Sequence, residues 1–93
     1  MIRLNAFFEV NQGAEAQVLA LGKELVEASL KDKGCVAYDL FCSTTRPQVM
    51  MFCETWQDDE ALAAHSSAEH FTRIVPQIEA LTKAGMHLNR FEF

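Results

Sequence analysis

The 93-residue chain contains no C-x-x-C pair, no glycine-rich phosphate loop and no G-x-S-x-G elbow. Each absence removes a class of chemistry. Paired thiolates hold structural zinc or cycle electrons, glycine loops cradle phosphates on backbone N–H groups, and the elbow exposes a serine nucleophile. The three cysteines, Cys35, Cys42 and Cys53, are odd in number and sit within apolar runs, so they read as reduced core thiols rather than a disulfide framework. Basic residues are scarce: eight Lys and Arg stand against 13 Asp and Glu, for a formal charge of -5. An acidic chain is a poor match for a phosphate backbone or an anionic bilayer, so neither nucleic acid nor membrane is an expected partner. The longest apolar stretch, Val49 to Cys53, is far too short to cross a bilayer. Up to Glu9 there is no apolar run of signal-peptide length, so a cytoplasmic location is expected. With two prolines, four glycines and no repeat, low-complexity tract or linker, residues 1–93 read as one domain. A domain this small buries a modest fraction of its surface, which favours further burial through oligomerisation.

What is present reads as alternating strands and helices. Ile2 to Val10 is rich in aromatic and branched residues and stops at Asn11-Gln12-Gly13, the punctuation of a first strand. From Ala14 to Lys31, Val18, Leu21, Leu25 and Ala28 recur at the spacing of one helix face, and Gly34 supplies the helix stop. Cys35 to Ser43 and Val49 to Gln57 are two apolar strands separated by a connection short enough for an antiparallel hairpin. Asp58 or Asp59 can cap a short helix, Glu60 to His65, and Ser66-Ser67-Ala68-Glu69 is a capping box that predicts a new helix opening at Ser66. Phe71, Ile74, Val75, Ile78 and Leu81 continue at helical spacing, with a kink or restart expected at Pro76. Met86 to Phe93 is a last strand. The order predicts an α+β domain: a ferredoxin-like antiparallel four-stranded sheet with helices on one face. Helices cover one face only, while the middle strands are apolar on both, Asp39 excepted. A homodimer through the sheet faces is therefore expected, burying at least roughly 1,000 Å² in total.

Few side chains are placed to do chemistry. Glu54-x-Trp56 sets a carboxylate and an indole on one strand face. His65 follows Ala61 by four residues and Leu62 by three, so it projects from the apolar side of the short helix as a candidate base or donor. Asn5 shares a strand face with Phe7 and reaches the same interior if that face looks inward; Tyr38 adds a phenol. Bland alternatives stand beside each: His65 as a satisfied core histidine, Trp56 as a core aromatic, Asn5 as a backbone partner, and Glu54 as an ion pair with Arg3 or Arg90. His70 falls in the first turn of the second short helix and is expected to be exposed, and His87 lies in the last strand. Neither has a metal-ligand partner at a useful spacing, so no metal site is expected.

Gly34-Cys35-Val36-Ala37-Tyr38, Glu54-Thr55-Trp56 and a histidine nine residues beyond that tryptophan occur in this order in a very short chain. The pattern resembles the antibiotic biosynthesis monooxygenase family over nearly the whole length. The resemblance implies a dimeric α+β barrel with one pocket per subunit between sheet and helices. It also implies oxygenation of an electron-rich phenol, quinol or anthrone to a quinone by O2, with the substrate supplying the electrons and no flavin, haem or metal as cofactor. In that frame His65 takes the phenolic proton, Asn5 and Trp56 donate hydrogen bonds to the oxyanion, and Tyr38, Phe7, Phe52 and Phe71 surround the ring, with Glu54 orienting the site. Haem-degrading relatives need an axial histidine near the place of Val75, which this chain lacks. Arg46, Arg73 and Arg90 leave open an isomerase of a phosphorylated signalling sugar, and the fold also admits a non-catalytic ligand-binding dimer.

Overall fold

The computed structural model describes residues 1–93. Its elements are β1 (Ile2–Glu9), α1 (Glu15–Ser29), β2 (Cys35–Cys42), β3 (Val49–Trp56), α2 (Asp59–Ser67), α3 (Glu69–Glu79) and β4 (His87–Glu92). The strands form one antiparallel sheet in the order β2-β3-β1-β4, which is the ferredoxin-like plan that the element order predicts. β3 and β1 pair from Ile2↔Trp56 to Glu9↔Val49, and Tyr38 of β2 lies opposite Glu54. Because strand side chains alternate, Ile2, Ala6 and Phe8 share the covered face with Met50, Phe52, Glu54, Trp56 and Tyr38, all of them buried.

Helices close that face. On α1 the buried positions are Val18, Gly22, Leu25 and Ser29, spaced four, three and four, so the buried stripe is rotated slightly from the expected Val18-Leu21-Leu25-Ala28 line. Close packing explains the shift: a Cβ on Gly22 would lie 2.4 Å from Leu40 Cδ2, so α1 meets the sheet at the residue without a side chain. On α3, Ile74, Val75 and Ile78 are buried. The helix does not restart at Pro76. It runs unbroken to Glu79, held by apolar residues that pack on both sides of the proline.

Two other local expectations are corrected. Gly34 has the left-handed φ of +81°, but it sits just before β2, five residues beyond the last residue of α1, and closes a turn rather than the helix itself. Ser66 does not open a helix. It lies within α2, where its hydroxyl donates to the Leu62 carbonyl at 3.1 Å, a bond that removes it from capping duty. The break falls at Ala68, with φ −69° and ψ 151°, and Asp58 caps α2 by accepting from the Ala61 N–H at 2.8 Å. An irregularity between Cys35 and Ala37 interrupts the β2 alternation, so Val36 is exposed while Tyr38 is buried.

No helix covers the second sheet face. It carries Arg3, Asn5 and Phe7 from β1, Cys53 and Thr55 from β3, Asp39 and Phe41 from β2, and Asn89 and Phe91 from β4. Phe7, Phe41 and Phe91 are 41%, 51% and 53% exposed there. No helix of the protein is long and apolar enough to cross a membrane.

Candidate functional site

Between the covered sheet face and the α2–α3 pair lies a cavity of about 390 Å³. Its walls are mainly apolar, including Leu4, Ala6, Phe52, Leu62, Phe71 and Val75, with Tyr38, Glu54 and His65 as inner polar groups and Ser66, Thr72 and Glu79 as further polar ones. No lysine or arginine lines it.

His65 is 1% exposed. Its place follows from the turn before β2. The hairpin pairs Cys35 with Trp56, so the turn ending at Gly34 lies beside the start of α2. A Cβ at Gly34 would sit 2.4 Å from the Ala61 Cβ, and its absence lets α2 approach. One helical turn beyond Ala61, Nδ1 of His65 lies 2.9 Å from Asp32 Oδ2. The same oxygen lies 2.8 Å from Nε2 of His70, on α3. A carboxylate oxygen only accepts, so both ring nitrogens carry the proton and donate. That fixes the tautomer of His65: the proton sits on Nδ1, and Nε2 keeps its lone pair. Nε2 is buried and has no partner. Burial lowers the pKa of His65, with Asp32 opposing, so the ring is held toward its neutral form. The imidazole lies against the Trp56 indole at 4.4 Å between centroids, with Phe71 edge-on at 5.2 Å and Tyr38 at 5.4 Å.

Glu54 is 7% exposed, and its partner is neither of the expected arginines. Trp56 Nε1 donates to Glu54 Oε1 at 2.9 Å. Arg3 points to the other sheet face and donates to Thr55 Oγ1, while Arg90 engages Asp59 and Glu92. Burial therefore pushes the Glu54 carboxyl up from its ordinary value, and the Trp56 N–H opposes it. Tyr38 is pushed well above the usual phenol range, first by burial and then by the neighbouring Glu54 charge.

The structure thus brings together His65, Glu54, Tyr38, Phe52 and Phe71 at one cavity and removes three expected contributions. Asn5 and Phe7 occupy the uncovered sheet face, because the even-numbered residues of β1 take the helix side. Trp56 is fully buried behind His65 with its N–H committed to Glu54, so it supports the site instead of donating into it. Two residues were missed. Asp32 reads in sequence as part of a helix stop, and His70, expected to be exposed, is 16% exposed on the Asp32 carboxylate. The signal that could have found Asp32 is the hairpin register, which sets the turn against α2.

The antibiotic biosynthesis monooxygenase family model matches residues 1–77. A crystal structure from Bacteroides thetaiotaomicron VPI-5482, described as a conserved protein of unknown function and possible oxidoreductase, is 48% identical. It superposes with a TM-score of 0.93 over 99% of this chain and 96% of its own. A crystal structure of an antibiotic biosynthesis monooxygenase is 35% identical, with a TM-score of 0.94 over 100% of this chain and 98% of that one. The Bacillus subtilis (strain 168) protein named "Putative monooxygenase YcnE" is 28% identical over 92 residues, which span 99% of this chain and 97% of the relative. The chain belongs to the antibiotic biosynthesis monooxygenase family.

Proposed function

We propose that this protein is a monooxygenase that activates an electron-rich phenol, quinol or anthrone for direct reaction with O2, with His65 as the general base. The observation that carries the reading is the buried, partnerless Nε2 of an imidazole oriented by Asp32 at the wall of an apolar cavity. His65 takes the acidic proton of the substrate, and Asp32 stabilises the imidazolium that results. The substrate anion passes one electron to O2, the radical pair joins through a new C–O bond, and the peroxide loses water as its O–O bond breaks. One oxygen atom remains in the product as a carbonyl or hydroxyl and the other leaves as water. The substrate supplies all the electrons, so the protein has to bind, orient and deprotonate. Phe52 and Phe71 provide surface for the ring, and the Tyr38 hydroxyl is a donor available to the developing oxyanion.

A phosphorylated-sugar isomerase finds little support in this site. No cation lines the cavity, Arg73 is engaged by Glu24 and Glu69, and Arg90 by Asp59 and Glu92. The partner we propose for the uncovered sheet face is a second copy of the chain, seated on Phe7, Phe41 and Phe91. Oxygen uptake with a panel of quinols and anthrones, corrected for spontaneous oxidation, tests the activity. Enzyme-dependent uptake is the expected result, and saturable binding of the same compounds without uptake would reduce the protein to a ligand carrier.

A further inference from the structure

Asp32, His65 and His70 come from three segments, the turn before β2, α2 and α3, and each offers one ligand atom. The three atoms lie within 4.8 Å of one another. Two imidazole nitrogens and a carboxylate oxygen are a donor set suited to a borderline divalent cation. The spacing is close to what such an ion needs. Bonds of ~2.0–2.2 Å in a tetrahedral shell set neighbouring ligand atoms roughly 3.3–3.6 Å apart, and two of the three pairs here already stand at 2.8 and 2.9 Å. His65 is buried, whereas Asp32 and His70 keep 19% and 16% exposure, so the cluster has one face open to solvent for ion arrival and for a water ligand.

We propose that Asp32, His65 and His70 form a binding site for a divalent cation of the zinc class, and that filling it switches His65 from proton acceptor to proton donor. The consequence for catalysis rests on the role given to His65 above. Without the ion, Nδ1–H of His65 and Nε2–H of His70 both donate to Asp32. The ion takes the lone pairs at those two nitrogens, and the proton on each moves to the other nitrogen of its ring. No net proton leaves the imidazoles, and the carboxylate supplies the negative charge. His65 then carries hydrogen on Nε2, the nitrogen that must stay bare to accept a substrate proton. Cation binding and base catalysis are mutually exclusive, which makes the cluster an inhibitory site.

The test is calorimetric titration of the metal-stripped full chain with zinc chloride, repeated on His70→Ala and Asp32→Asn, together with ¹⁵N NMR of the histidine rings. Expected are one zinc per chain and affinity weakened at least about tenfold in both variants. The His65 Nε2 resonance should move from the unprotonated to the protonated position on zinc addition. Absence of binding would overturn the proposal. So would affinity unchanged in the variants, which would place the ion elsewhere on the chain, or a His65 Nε2 signal that zinc leaves in place. The NMR readout on the unmutated chain stands even if a variant misfolds. Because neither readout uses turnover, a protein that binds zinc but consumes no oxygen would separate failure of the oxygenase reading from failure of the site.

Discussion

At the scale of single residues, the proposed chemistry rests on one imidazole and the carboxylate that holds its tautomer. Replacing Asp32 with Asn removes the anion while keeping the shape, so His65 is free to place its proton on either nitrogen. Asp32→Asn is expected to lower kcat by between ~10- and 10²-fold with little change in KM, read by steady-state oxygen uptake. Glu54 gives a prediction in stability. Its folded pKa is raised above the ordinary 4.5, so its favourable contribution is complete below that value and is lost as pH rises through the folded pKa. Glu54→Gln keeps an oxygen for the Trp56 N–H but never ionises. Thermal unfolding should therefore show the variant gaining on the parent as pH rises above about 4.5, whereas a constant difference would mean that Glu54 is not desolvated. Strand periodicity made Glu54 and Trp56 legible as neighbours, and helix spacing turned His65 inward. The same period of two sends Asn5 outward: Ile2, Leu4, Ala6 and Phe8 claim the covered face, and the odd positions follow Phe7 to the open one. Asp32 was hidden for a different reason. It lies 33 residues from His65 and 38 from His70, and local pattern carries no record of such contacts.

Elements were legible where hydrophobic period and turn residues agreed, and their ends were not. The S-x-x-E pattern at Ser66 matches a capping box, but the Ser66 hydroxyl finds the Leu62 carbonyl of a helix already under way, and the chain breaks two residues later at Ala68. Pro76 reads as a breaker, yet packing of Ile74, Val75 and Ile78 keeps α3 whole. Gly34 shows how an element boundary positions the site. With φ +81° and no room for a Cβ beside Ala61, Gly34→Ala pays for a left-handed backbone and a collision with α2. A loss of about 1–3 kcal/mol is expected from denaturant unfolding, along with reduced turnover, because α2 carries His65 away from Asp32. Unchanged stability would show that α2 does not depend on this close approach.

At the scale of the whole molecule, one sheet face builds the cavity and the other is left open with three exposed phenylalanines. A second copy burying at least roughly 1,000 Å² in total would cover them. Sedimentation equilibrium is expected to return a dimer for the parent chain and a monomer for a Phe7→Ser, Phe41→Ser double variant; a monomeric parent would contradict that arrangement. The plan of four strands and helices on one side was legible because strand order and helix period point the same way along the chain. The chemistry became legible only when folding brought the turn, α2 and α3 together. In that chemistry His65 is the base, and the most direct measurement is the rate of oxygen consumption with a responsive quinol by the parent chain and by His65→Ala. A fall of about 10²-fold in kcat with the fold retained by circular dichroism is expected, and an unchanged rate in a folded variant would remove His65 as the base.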